Sequence, residues 1–127
     1  MADAAVDYGR SRTGFAAFVS GVVLPLEPLT RTTWTAIDRR LSEIFRDHGS
    51  GRVVLGLPLN ASGGDTELSV EVRELAEWLE SLGYEVYTVS EVRSTAEALE
   101  QRPSSVRDGR TDSVAAAVIL RRFLGLP

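Results

Sequence analysis

Apolar positions along the chain alternate between short runs of strand character and longer stretches at helical spacing. Ala4-Ala5-Val6 is a short apolar run that ends at Asp7-Tyr8-Gly9, a turn sequence. Thr13 to Val19 and Val22 to Pro25 are β-rich runs flanking Ser20-Gly21, which predicts an antiparallel hairpin. The first three strands are then consecutive neighbours. From Trp34 to Phe45, the residues Trp34, Ile37, Leu41, Ile44 and Phe45 recur on one helical face, with Gly49 beyond them as a C-terminal cap. Val53-Val54-Leu55 is a continuous β-branched run, the pattern of a strand buried on both faces, and it stops at Gly56-Leu57-Pro58.

Leu59 to Asp65 holds Asn60, Ser62, Gly63 and Gly64, the composition of a loop. Leu68, Val72, Leu75, Ala76, Leu79 and Leu82 then trace a second helix that ends at Gly83, and Glu85 to Val89 reads as a further strand. A short helix is expected over about 95–101, and the stretch from Pro103 to Arg110 is polar. Thr111 is placed to cap a last helix carrying Val114, Val118, Ile119, Leu120, Phe123 and Leu124. The whole reads as α/β: three antiparallel strands, then helix, strand, helix, strand and helix, making a mixed sheet with helices packed on it. Periodicity alone is compatible with several α/β folds.

Composition narrows the chemistry. With 127 residues and 43% hydrophobic content, one globular domain spanning residues 1–127 is expected. The absence of cysteine excludes disulfide scaffolds, zinc ribbons, iron–sulfur sites and thiol catalysis, so a metal site must use oxygen ligands. All fourteen basic residues are arginine, which removes lysine-based mechanisms. The net charge of −4 argues against a protein that simply coats nucleic acid. That objection weakens if several acids are neutralised by divalent cations. No apolar stretch is long enough to span a membrane, and Met1-Ala2-Asp3-Ala4-Ala5 lacks a signal peptide's features, so a cytoplasmic protein without membrane contact is expected.

Asp7 stands where the first strand runs out, Glu91 where the strand over 85–89 runs out, and Asp112 in the first turn of the last helix. Strand C-terminal ends are where ligands gather in open parallel sheets. If the first strand and the strand over 85–89 are neighbours, Asp7 and Glu91 lie side by side and Asp112 can be laid across the same edge. Three carboxylates so placed need a counter-charge. Mg²⁺ or Mn²⁺, as a pair of ions, supplies it, and such a site hydrolyses phosphodiesters. Taken singly, Asp7 reads as a turn aspartate, Glu91 as a solvated acid and Asp112 as a first-turn acid favoured by the helix dipole. His48, the single histidine, reads as a helix-end surface residue.

Together the segments resemble the YqgF (RuvX-like) family, associated with pre-16S rRNA processing and Holliday junction resolution. Asp7-Tyr8-Gly9-Arg10-Ser11-Arg12-Thr13-Gly14-Phe15-Ala16 resembles its first motif, and Gly56-Leu57-Pro58-Leu59-Asn60 followed by Gly63 its second. Ser90-Glu91-Val92-Arg93-Ser94-Thr95 resembles the third, and Asp112-Ser113-Val114-Ala115-Ala116-Ala117-Val118-Ile119-Leu120 the fourth. The order of elements is also that expected of the ribonuclease H-like fold, a five-stranded mixed sheet with helices on both faces. The resemblance implies catalytic metal binding by Asp7, Glu91 and Asp112, with Asn60 and Gly63 in a loop beside them. It implies substrate phosphate contacts by Arg10 and Arg12, with Arg93, Arg107 and Arg110 as further candidates. Its third motif departs from the usual pattern: Ser90 replaces an acidic or amide residue, Val92 an arginine, and Arg93 comes one place late.

Three functions follow. The first is a metal-dependent nuclease acting on precursor ribosomal RNA or branched DNA, with a homodimer suited to a two-fold junction. The second is a nucleic-acid-binding or transcription-associated module with feeble catalysis, which the altered third motif and the negative net charge motivate. The third, from Asp7-Tyr8-Gly9 with Gly14, is an actin-like phosphate-binding opening, for which 127 residues leave no second lobe.

Overall fold

The computed structural model describes the backbone of residues 1–92 and 109–127 and the side chains of residues 1–91 and 113–127. The hairpin forms as its turn dictates. Strands β2 (Thr13–Val19) and β3 (Val22–Leu29) are joined by Ser20 and Gly21, both with positive φ (52° and 83°), the backbone whose twist matches two antiparallel strands. β3 runs on past Pro25 and Pro28 to Leu29, further than the expected end at Pro25. It pairs only with β2, so it is an edge strand where a missing N–H costs no rung on the open side.

β1 (Asp3–Asp7) pairs antiparallel with β2 and parallel with β4 (Val53–Leu59), which in turn pairs parallel with β5 (Val86–Val92). The sheet order is β3-β2-β1-β4-β5. β4 does not stop at Gly56-Leu57-Pro58, because β5 accompanies it as far as Leu59↔Val92. Pro58 is tolerated there: its carbonyl accepts from the Thr66 hydroxyl (3.1 Å), so its main-chain groups face away from β5. β5 likewise continues beyond Val89, and Glu91 is a strand residue.

Helices cover both faces of the sheet. α1 (Trp34–His48) and α2 (Glu67–Ser81) bury Ile37, Leu41, Ile44, Val72, Leu75 and Leu79 against Val6, Phe15, Val53 and Leu55. Each such side chain contributes roughly 1.5–3 kcal/mol of apolar burial. α1 starts at Thr33, whose side chain accepts from Ala36 N, and ends at Gly49 (φ 94°). α2 starts with a reciprocal capping box between Thr66 and Ser69. α3 (Gly109–Leu124) covers the other face, with Ala116, Ala117, Ile119 and Leu120 on Ala5, Ala16 and Val54. Alanines on both sides of this contact let the helix lie close to the sheet. α3 begins at Gly109, so Thr111 is inside it rather than capping it. The helix expected over 95–101 lies outside the described residues.

At the N-terminal end of the parallel strands a polar and aromatic cluster fastens the last turns of α3. Buried Asp3 accepts from Arg52 Nε (3.1 Å) and Nη2 (2.7 Å), Arg52 stacks over Phe123 (4.7 Å), and Phe123 lies 5.3 Å from Tyr87. Among the described residues no helix is long and apolar enough to cross a membrane.

Candidate active site

The candidate site lies at the opposite end of the sheet, where β1 stops and β4 and β5 continue. Val6 is level with Leu55 and Pro58 with Glu91, so Asp7 comes level with Gly56, and Glu91 stands two residues further along on the far side of β4. β1 and β5 are therefore not neighbours. Asp7 and Glu91 stand on strands about 9–10 Å apart with β4 between them, so the condition under which the two acids would lie side by side is not met. By the two-residue alternation, Asp7, Gly56 and Glu91 all belong to the face under α3, and they line one narrow cleft with Tyr8, Pro58, Leu68 and Ile119.

Gly56 is what makes these two acids members of one cleft. A Cβ at this position would lie 2.5 Å from Ile119 Cδ1 and 3.8 Å from Glu91 Cγ. A side chain here would force the Ile119 side chain to shift and would stand in contact with Glu91. The sequence signal was present: a glycine inside a strand marks a close approach.

α3 crosses the sheet obliquely, and this sets the third acid's place. Near its start, buried Ser113 donates to the Leu26 carbonyl of β3 and lies 3.5 Å from the Phe15 amide of β2. Midway, Ile119 meets Gly56 of β4. Near its end, Arg122 Nη1 donates to Glu91 Oε2 of β5 at 2.8 Å. Phe15 follows Gly14, the register partner of Asp7, so residue 112, preceding Ser113, is brought to the β2 side of Asp7 while Glu91 is on the other. Asp112 also lies one turn before Ala116 and two before Ile119, both buried against the sheet. Its side chain is outside the described residues, as is that of Arg110, the second residue of α3. Arg93 and Arg107 lie outside the described residues altogether.

The loops flanking the cleft are internally braced. In the β1–β2 connection, Thr13 Oγ1 donates to the Gly9 carbonyl (3.2 Å) and sits 2.8 Å from Thr32 Oγ1. Gly9 is required there, since a Cβ would stand 2.4 Å from the Arg12 carbonyl. Arg12 lies in this connection beside the cleft. Arg10 is turned to α2, where its Nε donates to both Glu71 oxygens (3.0 and 3.1 Å) and Nη2 is 3.6 Å from Glu67. After β4, Asn60 Oδ1 accepts from Ser62 N, Ser62 Oγ and Gly64 N, and Gly63 takes a positive φ of 84°. Asn60 thus shapes the loop with its side-chain oxygen.

The donor set fits a hard divalent cation. Glu91 Oε1 is buried and has no hydrogen-bond partner among the described residues. Leaving a buried anionic oxygen unpaired costs about 1–3 kcal/mol or more, which a cation in the cleft would offset. Carboxylate oxygens of the kind Asp7 and Glu91 bring are the ligands Mg²⁺ and Mn²⁺ take. Among the described residues no three acidic or histidine side chains gather at one point.

Comparisons with known proteins identify the family and the fold. A family model described as "RuvX: Holliday junction resolvase" matches residues 1–125. A Helicobacter pylori (strain Shi470) protein named "Putative pre-16S rRNA nuclease" is 33% identical over 127 residues, covering 94% of this chain and 92% of that protein. An Alcanivorax borkumensis protein of the same name is 33% identical over 126 residues with the same coverage. Among solved structures, Thermus thermophilus RuvC is similar with a TM-score of 0.56 at 14% identity, covering 98% of this chain and 97% of that one. The large terminase nuclease of thermophilic phage G20c gives a TM-score of 0.57 at 16% identity, over 96% of this chain and 81% of that one. The five-stranded mixed sheet is the ribonuclease H-like fold.

Proposed function

The chain belongs to the RuvX (YqgF) family, and from that premise we propose that it is a divalent-metal-dependent nuclease that hydrolyses phosphodiester bonds of structured nucleic acid in the cytoplasm. The observation that carries this reading is the cleft in which Asp7 and Glu91 share one face with bare Gly56 between them. Asp7, Glu91 and Asp112 would hold Mg²⁺ or Mn²⁺, two ions in all. Ions held there supply a hydroxide nucleophile at neutral pH and charge for the leaving oxygen.

The remaining steps belong to this chain's own residues. Arg12, Arg93, Arg107 and Arg110 bind the phosphate backbone, and Arg10 joins them when it leaves Glu71. Asn60 and Gly63 hold the loop after β4 in the shape that borders the substrate. The relatives' names favour precursor 16S ribosomal RNA as substrate, and the family description favours a four-way DNA junction. Resolving a two-fold junction would require two copies of the chain.

The test is cleavage of labelled precursor ribosomal RNA and of a four-way DNA junction, side by side, in Mg²⁺, Mn²⁺ or EDTA. Wild type is compared with Asp7→Asn, Glu91→Gln and Asp112→Asn. Metal-dependent cutting lost in all three variants supports the proposal, and the preferred substrate identifies the role. Binding by wild type without cutting in either metal would sink the nuclease and leave a nucleic-acid-binding module.

A further inference from the structure

The two oxygens of Glu91 have different surroundings. Oε2 accepts from Arg122 Nη1 at 2.8 Å, whereas Oε1 is buried in the cleft with no hydrogen-bond partner among the described residues. The Arg122 side chain is 56% exposed and that of Glu91 19%, so the guanidinium approaches from solvent and can swing away without opening the core. Arg122 comes from the last turn of α3, the helix that also carries Ile119 against Gly56, so its reach to β5 is set by the same packing that forms the cleft.

We propose that Arg122 is a placeholder cation for the metal site: its guanidinium neutralises Glu91 while no metal is bound, and a divalent ion must compete with it for the carboxylate. This rests on the metal site proposed above. The argument is one of charge. A guanidinium bound to one oxygen of a carboxylate lowers the negative potential that draws a divalent ion to the other oxygen, and once the ion is seated the two cations repel. Arg122 therefore holds down the affinity of the site. It is a positioning residue, acting through Glu91.

The consequence has the opposite sign from that of a structural brace. Losing a brace would loosen Glu91 and weaken metal binding. Losing a competitor would tighten it. Mn²⁺ is titrated calorimetrically into the full chain, without nucleic acid, using wild type, Arg122→Gln, Arg122→Lys and Asp7→Asn. Arg122→Gln is expected to lower the Mn²⁺ dissociation constant about two- to fivefold, the range that loss of one partly exposed ion pair spans. Arg122→Lys, which keeps the charge, is expected to restore the wild-type value. An unchanged or raised dissociation constant in Arg122→Gln overturns the proposal, and so does equal tightening in Arg122→Lys. Wild type that binds no Mn²⁺, or binding that survives Asp7→Asn unchanged, overturns the metal site itself and this proposal with it.

Discussion

Gly56 and Ile119 are in contact so close that a single added methyl group on the glycine would sit 2.5 Å from Ile119 Cδ1. The pair packs the Ile119 side chain directly on the main chain of β4, in the cleft that Asp7 and Glu91 also line. Gly56→Ala is expected to destabilise the protein by about 1–3 kcal/mol through overpacking. Adding Ile119→Val to Gly56→Ala should recover part of that stability, because the clashing Cδ1 is gone. Cleavage should not recover with it, since the new Cβ still lies in the cleft beside Glu91. Urea denaturation and cleavage rates of the single and double variants check both halves; recovery of activity in step with stability would show that Gly56 serves packing alone.

Ser113 ties the start of α3 to two strands through the Leu26 carbonyl and the Phe15 amide. Ser113 is 1% exposed, so Ser113→Ala leaves the buried Phe15 amide and the part-buried Leu26 carbonyl short of a partner. The expected cost is about 1–2 kcal/mol by denaturant unfolding. Because Asp112 is the adjacent residue, cleavage should fall further than the loss of folded protein explains, measured where the variant is still fully folded.

Much of this was legible in the sequence, for local reasons. Ser20-Gly21 between β-rich runs gave the hairpin because a two-residue turn needs positive φ, which Gly adopts freely. The apolar spacing of Ile37, Leu41 and Ile44, and of Val72, Leu75 and Leu79, marked the faces that are buried. What local pattern could not give was lateral order. Nothing in Asp7 or Glu91 says that β4 runs between them, and that order decides that Gly56 is part of the site. Arg122 and Ser113 escaped for the same reason: their partners Glu91 and Phe15 are 31 and 98 positions away. Arg10 and Asn60 were legible as polar loop residues near the site, but their partners on α2 and within the loop become visible only in three dimensions.

Arg10 is held by Glu71, so its expected part in phosphate binding requires exchange of one anion for another. Glu71→Gln should release it and raise affinity for a four-way DNA junction in EDTA. Arg10→Gln should lower affinity and reduce the salt slope of log K by about one. Glu80→Gln, on the same helix but away from Arg10, separates this from a general loss of negative charge. Fluorescence anisotropy across a salt series measures all three, and equal effects of Glu71→Gln and Glu80→Gln would confine Arg10 to tethering the β1–β2 connection to α2. The melting temperature should stay near that of wild type, since the pair is solvent-exposed.

At the other end of the sheet, Asp3 is 4% exposed, and the Arg52 side-chain hydrogen bonds hold its carboxyl below the ordinary aspartate value of 3.8, against the opposing effect of burial. The sign of the linkage follows. A carboxyl depressed in the folded state contributes stability that is fully present above 3.8 and is lost as the pH falls through the lower folded value. Arg52 stays charged throughout, so Asp3 alone titrates in this pair. Asp3→Asn should cost about 1–3 kcal/mol at neutral pH, because it weakens two charge-assisted bonds and loosens the guanidinium stacked on Phe123. Unfolding measured at pH 7 and at successively lower pH should show the gap between wild type and variant narrowing only below about pH 4. A gap that stays constant into strong acid would mean that Asp3 contributes by shape, and that its charge on Arg52 does not fasten the end of α3.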